Sequence, residues 1–259
     1  MSADGSRGSG GSTGAADGRV ALVTGGSRGL GAAIVRALAG RGLRVAFTYR
    51  ERADLAEQLC EELAAGVAER PLALGFDQGS ETGEEVVAAV LERWGRLDSL
   101  VLSAGIWSGG RIDRLDPEEW WRVVEVDLRG VYRMARAAVT ALSAGPAGSI
   151  TIVSSTIGIA GFPGDTAYAS AKAGLIGFSR SLAKELAAAG TRVNVLAPGF
   201  VESDATAEVS AAARERLSSR LLIDRFGRAE EIGAAAAFLS EDATYTTGSV
   251  LVCDGGFSL

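Results

Sequence analysis

A tyrosine and a lysine lie four positions apart in the segment 168–172. On an α-helix this spacing places Tyr168 and Lys172 on one face, where both can border the same ligand. An ammonium beside a phenol favours the phenolate and lowers the pKa of the phenol toward a range useful for proton transfer. Ser155 follows the apolar run 149–153 and offers a hydroxyl that can polarise a carbonyl oxygen. Together the three side chains can donate a proton and polarise a carbonyl, although a Tyr and Lys pair at this spacing also occurs on solvated helix faces.

The absence of histidine limits the chemistry that the chain can perform. None of its 259 residues is a histidine, so Ser-His-Asp and Cys-His mechanisms and histidine-ligated metal centres are excluded. Proton transfer must therefore use tyrosine, lysine, aspartate or glutamate, and we predict no metal site.

Charge and apolar patterning restrict the partners. The chain carries a net charge of −6 and has no basic run, which argues against binding to nucleic acid. Its apolar stretches are short and interrupted, and no signal-peptide pattern is present, so we expect no membrane contact. Cys60 and Cys253 lie far apart, and a buried thiol is the expected state of Cys253. These features favour a reducing, cytoplasmic setting.

Buried strands alternate with amphipathic helices along most of the chain. The predicted strands are 19–23, 44–48, 71–76, 97–102, 150–153, 192–196 and 250–253. The predicted helices are about 31–41, 53–65, 81–94, 116–143, 166–189 and 228–239. This alternation indicates an α/β fold, with one Rossmann-type doubly wound domain over 18–259, a seven-stranded parallel sheet and helices on both faces. Residues 1–17 are rich in glycine and serine and are predicted to form a disordered tail.

A glycine-rich loop joins the first strand to the first helix. Its glycines have the spacing G-x-x-x-G-x-G within 25–31. Glycine permits a tight turn and close backbone approach, and the N-terminus of the following helix offers free N–H groups to a pyrophosphate. The sequence therefore predicts a dinucleotide cradle, although other tight strand-to-helix turns also use glycine. The predicted cradle residues are Gly25, Ser27, Arg28, Gly29, Leu30 and Gly31.

The residues after the second strand indicate which dinucleotide binds. Arginine accommodates the 2′-phosphate of NADPH, whereas an acidic residue near this position grips the ribose hydroxyls of NAD. Arg28 and Arg50, with Tyr49 beside the latter, therefore favour NADPH, unless both arginines are simply solvated on exposed turns. Asp77 ends the third strand, where it is placed to contact adenine. The small residues 103–105 after the fourth strand let a cofactor approach the backbone.

In this order, the motifs resemble those of the short-chain dehydrogenase/reductase family over residues 18–259. They are most like those of its β-ketoacyl-acyl-carrier-protein reductases and related ketoreductases, in which the serine also lies thirteen residues before the tyrosine. The residues that carry the resemblance are Thr24, Gly25, Gly29, Gly31, Asp77, Ser103, Ala104, Gly105, Ser155, Tyr168, Lys172, Asn194, Pro198 and Gly199. Membership of this family by itself leaves the substrate open.

The resemblance implies a reaction and a role for each catalytic residue. A nicotinamide would lie across the carboxyl edge of the sheet and deliver hydride to a ketone carbon. Tyr168 would protonate the oxygen and Ser155 would polarise the carbonyl. Lys172 would lower the pKa of the tyrosine and hold the nicotinamide ribose, a contact to the cofactor that Tyr168 would share.

The resemblance also implies further contacts and an assembly. Pro198, Gly199 and Val201 would contact the cofactor, and the segment of about 200–222 would be a lid over the substrate. The helices 116–143 and 166–189 would pair across the subunits of a homotetramer.

The sequence departs from the family pattern at two places. The family usually has Asn-Asn-Ala-Gly after the fourth strand, where this chain has Leu102 and Ser103 in place of the two amides. The family also carries a catalytic asparagine in the long helix, where this chain has Asp127. An ionised aspartate only accepts hydrogen bonds, so Asp127 would hold a relay water or form an ion pair with Lys172. The alternative is a tolerated change that leaves activity intact.

The sequence indicates the substrate less clearly than it indicates the cofactor. In the acyl-carrier reductases an acidic carrier protein docks on basic residues near the site entrance, but the corresponding stretches 143–146 and 187–189 contain none. We therefore expect a small-molecule ketone that is free or presented differently, such as an intermediate in the biosynthesis of a polyketide-type or other small metabolite. Trp107, Phe162 and Phe200 are candidates to line its pocket or to be ordinary packing residues.

Three functions are compatible with the sequence. The first is an NADPH-dependent ketone reductase. The second is an alcohol dehydrogenase that uses the same site with NAD or NADP, which Arg28 and Arg50 disfavour. The third is a catalytically weakened nucleotide-binding homologue, supported only by Asp127 and the altered residues 102–103 and opposed by the complete set of Ser155, Tyr168 and Lys172.

Overall fold

A computed structural model describes residues 18–202 and 210–259. The predicted disordered tail, 1–17, lies outside the described residues, as does the part of the predicted lid at 203–209.

The seven strands form one parallel sheet with the order β3-β2-β1-β4-β5-β6-β7. Their bounds are β1 Val20–Thr24, β2 Arg44–Tyr49, β3 Leu72–Gly75, β4 Ser99–Leu102, β5 Ser149–Val153, β6 Arg192–Pro198 and β7 Val250–Cys253. The chain moves outward from β1 in one direction and then, from β4, in the other. The predicted single doubly wound sheet is therefore confirmed, and its switch point lies between β1 and β4.

Helices connect the strands and cover both faces of the sheet. Among the described residues they are α1 Gly29–Ala39, α2 Ala53–Ala64, α3 Glu84–Trp94, α4 Pro117–Val124, α5 Val131–Leu142, α6 Ile157–Ala160, α7 Thr166–Leu186, α8 Ala211–Ser218 and α9 Ala229–Ala237. No helix of the described part is both long enough and apolar enough to cross a membrane.

Alternate residues of β1 point to opposite faces of the sheet, so helices must pack against both faces. Val20 and Leu22 pack into a core cluster with residues of α3, α5 and α7. Ala21 and Val23 point the other way, into a cluster with residues of α1, α2 and α9. All four side chains are fully buried, which accounts for the continuous apolar run of this strand.

The long helix predicted over 116–143 contains an interruption that the sequence analysis missed. Asp116 caps its start by accepting a hydrogen bond from the Glu118 amide at 2.9 Å, with Pro117 at the first helical position. A π-helical turn, Glu125–Gly130, then separates α4 from α5. Such turns are rare and often lie at functional sites. Here the turn contains Asp127.

The other bounds differ from the predicted ones by a few residues, with two differences that affect the site. The strand predicted over 192–196 continues to Pro198, because β6 pairs with β7 through that residue. The short helix α6 was not predicted, and it lies between Ser155 and the helix that carries Tyr168.

Candidate active site

A cleft of about 650 Å³ opens at the carboxyl edge of the sheet, above the switch point between β1 and β4. This is where doubly wound sheets bind their ligands. The predicted site residues that line it are Gly25, Ser27, Arg28, Gly29, Leu30, Gly31, Tyr49, Arg50, Asp77, Ser103, Ala104, Gly105, Trp107, Asp127, Ser155, Tyr168, Lys172, Pro198 and Gly199. The fold thus brings together residues that lie far apart in the sequence, from Gly25 to Gly199.

Two glycines of the loop between β1 and α1 have different reasons to be glycine. A Cβ on Gly31 would lie 2.0 Å from the carbonyl oxygen of Gly25, so the loop can close only without a side chain there. Gly29 has a φ of +54°, which favours glycine, and a Cβ at this position would meet no protein atom within 4 Å. The backbone at Gly29 is therefore open toward the cleft, at the N-terminus of α1.

Charged side chains surround the end of the cleft next to β2 and β3. Arg28 and Arg50 both line it, and Arg50 forms an ion pair of 2.6 Å with Glu51. The Asp77 carboxylate accepts a hydrogen bond from the Gly79 amide at 2.9 Å, which fixes the turn after β3. Arg28 and Arg50 give this end of the cleft the positive charge that an anion requires.

Three predicted residues lie outside the lining of this cleft. Val201 is buried and pairs with Gly227 in an isolated parallel bridge. Phe162 and Phe200 pack against each other, with a distance of 6.2 Å between their ring centroids. Phe200 also stacks on Phe226 at 5.6 Å. Of the two alternatives left by the sequence for Phe162 and Phe200, pocket lining or ordinary packing, the structure shows packing, in an aromatic cluster that includes Phe257.

Two adjacent serines that follow β5 have different roles in the site. Ser154 donates a hydrogen bond of 2.8 Å to the carbonyl oxygen of Lys172, which ties β5 to α7. Ser155 accepts a hydrogen bond from the Ile157 amide at 3.1 Å, and its hydroxyl is close enough to Tyr168 to lower the pKa of the phenol. The first serine therefore positions the helix, and the second has its hydroxyl beside the phenol.

Lys172 is almost completely buried, with 4% of its surface exposed. Its ammonium donates a hydrogen bond of 3.3 Å to the carbonyl oxygen of Val153 and lies 3.1 Å from Oδ2 of Asp127. The same ammonium is 5.3 Å from the centre of the Tyr168 ring. A buried lysine with these neighbours is in contact with a carbonyl dipole, a carboxylate and an aromatic ring, all of which stabilise its charge.

The proton affinities of this group differ from the expectation drawn from the sequence. Burial raises the pKa of the Tyr168 phenol above its ordinary value, Lys172 lowers it, and Asp127 raises it further. Burial by itself would lower the pKa of Lys172, but attraction to Asp127 and Tyr168 outweighs this and holds the pKa above its ordinary value. Lys172 acts on the phenol in the expected direction, but its effect is smaller than the combined effects of burial and Asp127.

Asp127 is fixed by the loop that follows β4. Its Oδ1 accepts a hydrogen bond of 2.7 Å from the Ile106 amide, and none of its surface is exposed. A Cβ on Gly105 would lie 2.9 Å from Oδ2, so only glycine leaves room for the carboxylate at this position. Of the two possibilities left by the sequence, the structure places Asp127 in an ion pair with Lys172.

Gln78 and Thr24 also shape the site, although no motif in the sequence indicates such a role for them. The Gln78 amide donates hydrogen bonds of 3.0 Å to the carbonyl oxygens of Ala104 and Val126, which joins the loop after β4 to the π-helical turn. The Thr24 hydroxyl accepts from the Ser103 and Ala104 amides, each at 3.0 Å. The signal for both was their position at or just after the end of a strand, where polar side chains meet the carboxyl edge.

A hydrogen bond holds Trp107 at the mouth of the cleft. The indole N–H donates to Oδ1 of Asp165 at 2.8 Å, and we call this pair of side chains the indole clamp. Trp107 is 64% exposed, whereas Asp165 is buried just before α7. Burial raises the pKa of the Asp165 carboxyl, and the hydrogen bond from Trp107 opposes that rise. A second hydrogen bond, from the Gly110 amide to the Gly164 carbonyl at 2.8 Å, joins the same two loops.

Comparison with known proteins agrees with this architecture. The family model described as Enoyl-(Acyl carrier protein) reductase matches residues 25–258. The chain is 39% identical over 241 residues to the 3-oxoacyl-acyl-carrier-protein reductase FabG of Escherichia coli, covering 93% of this chain and 97% of that protein.

Solved structures give the same result. A short-chain dehydrogenase/reductase from Serratia marcescens has a TM-score of 0.87 at 33% identity, covering 93% of this chain and 98% of that one. A blue fluorescent protein from a metagenomic library, solved in complex with NADPH, has a TM-score of 0.88 at 33% identity with the same coverage. The sequence matches, the seven-stranded sheet and the Ser155, Tyr168 and Lys172 arrangement all lead to one conclusion: the chain belongs to the short-chain dehydrogenase/reductase family.

Proposed function

We propose that this chain is an NADPH-dependent ketoreductase that converts a ketone into a secondary alcohol. The observation that carries the proposal is the meeting of Ser155, Tyr168 and Lys172 on one wall of the cleft. Relatives named as 3-oxoacyl reductases act, by the meaning of that name, on compounds that contain a ketone, which supports the same reaction class.

The residues of the cleft fit NADPH. Gly29 leaves the backbone open at the N-terminus of α1, where unpaired amides and the helix dipole favour a pyrophosphate. Arg28 and Arg50 supply positive charge for a 2′-phosphate at the neighbouring end. The relative that was solved in complex with NADPH has the same fold, which further supports this cofactor.

The chemistry divides between the cofactor and three side chains. Bound NADPH would supply the hydride for the carbonyl carbon. Ser155 donates a hydrogen bond to the carbonyl oxygen, which stabilises the negative charge that develops there. Tyr168 transfers its proton to that oxygen, and Lys172 stabilises the phenolate that remains.

Replacing Tyr168 by phenylalanine tests this assignment. We expect Tyr168→Phe to lower kcat by about a hundred-fold or more, because it removes the proton donor, while the dissociation constant for NADPH changes little. The measurement is NADPH oxidation with a panel of 3-oxoacyl thioesters, aryl ketones and quinone-like aromatics, together with NADPH titration by fluorescence. Undiminished turnover of the variant would contradict the assignment, and no turnover of any ketone by the wild type would contradict the proposed function.

Replacing Arg50 by alanine tests the choice of cofactor. Removal of a charged contact to the 2′-phosphate is expected to raise KM for NADPH by about ten-fold and to leave KM for NADH nearly unchanged. Arg70→Ala is the matched control, because Arg70 pairs with Glu57 on α2 and does not line the cleft. An equal change for both cofactors would show that Arg50 does not recognise the phosphate.

The ketone is proposed to reach the site free or in a carrier-independent form. The segments 143–146 and 187–189, to which the family resemblance assigns carrier docking, contain no basic residue and precede β5 and β6, at the edge of the sheet opposite the cleft. An acidic carrier would find no electrostatic anchor there. A polyketide-type or other small biosynthetic intermediate is the substrate class that we favour, and it predicts no lower KM for a carrier-bound ketone than for the free thioester.

The indole clamp predicts a preference for flat substrates. The exposed face of Trp107 offers a rigid aromatic surface at the mouth of the cleft, so Trp107→Ala should lower kcat/KM for aryl ketones by about ten-fold and affect small aliphatic ketones much less. Trp107→Phe keeps a ring but loses the hydrogen bond to Asp165, and an intermediate effect is expected. Equal losses for aliphatic and aryl ketones in Trp107→Ala would overturn the preference.

The family model's description gives a second reaction to test. Enoyl reduction ends with a proton on carbon, whereas ketone reduction ends with a proton on oxygen, which the Tyr168 hydroxyl can deliver. An enoyl thioester in the same substrate panel separates the two reactions. Oxidation of secondary alcohols with NAD and NADP likewise separates the alcohol dehydrogenase alternative, and binding without turnover would indicate the weakened homologue.

We also propose that the chain forms a homotetramer through α4, α5 and α7. Trp121 on α4 and Tyr132 on α5 are 62% and 46% exposed, and their apolar surface would be buried in such an interface. Light scattering on the chromatographic peak is expected to give the mass of four chains, and Tyr132→Glu should lower that mass. A monomeric wild type would contradict the assembly.

A further inference from the structure

The site contains a buried carboxylate where the family pattern has an uncharged amide. Asp127 lies in the π-helical turn with none of its surface exposed. The Ile106 amide holds Oδ1 at 2.7 Å, and Oδ2 lies 3.1 Å from the Lys172 ammonium. Gly105 lies beside the carboxylate, and a Cβ at that position would come within 2.9 Å of Oδ2. The carboxylate is therefore fixed against the ammonium.

The charges around Tyr168 come from three places in the fold. Lys172 lies one turn further along the same helix, Asp127 comes from the turn between α4 and α5, and Asp165 precedes α7. Ser155, which follows β5, is uncharged and lowers the pKa of the phenol. The phenol thus has one positive and two negative neighbours, and the negative neighbour that contacts Lys172 is Asp127.

An amide and a carboxylate at position 127 have opposite consequences for the phenol. Beside an asparagine, Lys172 would be a buried cation whose charge is balanced when Tyr168 loses its proton. Beside Asp127, the ammonium is already balanced, and ionisation of Tyr168 would add an unbalanced negative charge next to the buried pair of Lys172 and Asp127. Charges interact strongly where water is excluded, so the excess charge is costly.

We propose that Asp127 is a positioning residue which neutralises Lys172 and thereby keeps Tyr168 in its protonated, proton-donating form at higher pH than an asparagine would. The effect of Asp127 on the pKa of Tyr168 has the same direction, because the carboxylate and burial both raise it while Lys172 lowers it. The inference rests on the proposed function for its catalytic meaning, since ketone reduction requires the protonated phenol.

The consequence is a change in the usable pH range. Reduction proceeds below the pKa of the phenol and is lost as the pH rises through it, so a higher pKa extends the reaction toward alkaline pH. Asp127 does not alter the ratio of reduction to oxidation at a given pH, because the overall equilibrium between ketone and alcohol belongs to the substrates. It sets the pH at which the site changes from proton donor to proton acceptor.

The first test is the pH dependence of kcat/KM for ketone reduction. Asp127→Asn removes the charge and preserves the shape, and the alkaline midpoint is expected to fall by about one pH unit. Asp98→Asn is the matched control, since Asp98 is a largely buried carboxylate paired with Arg96 before β4, at the opposite edge of the sheet. Its midpoint should equal that of the wild type, and a wild-type midpoint in Asp127→Asn would overturn the proposal.

The second test measures the ionisation of Tyr168 without turnover. Tyrosinate absorbance is titrated in the wild type and in Tyr168→Phe, and the difference between the curves gives the midpoint of Tyr168. The same subtraction is made for Asp127→Asn with and without Tyr168→Phe. A lower Tyr168 midpoint in the Asp127→Asn background supports the proposal, and equal midpoints overturn it.

The two tests separate the proposal from the proposed function. If no ketone is reduced, the reductase assignment fails, while the absorbance titration still decides whether Asp127 controls the ionisation of Tyr168. Asp127→Ser is a second neutral variant for both measurements in case the asparagine variant does not fold, with circular dichroism as the check on folding. A merely structural role of Asp127 would lower stability without moving either midpoint.

Discussion

The burial of a lysine ammonium is the constraint on which the rest of this site depends. Removing an ammonium from water costs several kcal/mol unless nearby groups stabilise its charge. Lys172 meets this requirement with the Val153 carbonyl at the end of β5 and the Asp127 carboxylate in the π-helical turn. Each contact comes from a different element, so the position of the ammonium defines where the strand, the turn and α7 must meet. Tyr168 and Ser155 lie at that meeting point.

Much of the architecture was predictable because it follows from local patterns. The apolar run of β1, the glycine loop and the alternation of strands and helices each reflect a physical requirement that acts within a few residues. The spacing of Tyr168 and Lys172 similarly indicates a shared helix face, and both line the cleft. Local patterns did not predict the features that form where distant parts of the chain meet.

The π-helical turn illustrates this limit. Its residues have ordinary helical preferences, and the only local sign was Gly130 in the middle of a helix. A Cβ on Gly130 would lie 2.5 Å from the carbonyl oxygen of Gln78, a residue far away in sequence. The aromatic residues show the same limit. Phe162 and Phe200 pack in a cluster with Phe226 and Phe257. Trp107 instead lines the cleft and donates a hydrogen bond to Asp165. A sequence pattern does not distinguish a ring that meets other rings from one that faces a cleft.

The hydrogen bond between Ser154 and the carbonyl oxygen of Lys172 limits how the length of this region can vary. It fixes the rotation of α7 relative to β5 at the residue that carries the ammonium. One residue inserted into the helix between Tyr168 and Lys172 would turn the phenol by about 100° away from the ammonium. Insertions and deletions in related chains should therefore be absent from 168–172.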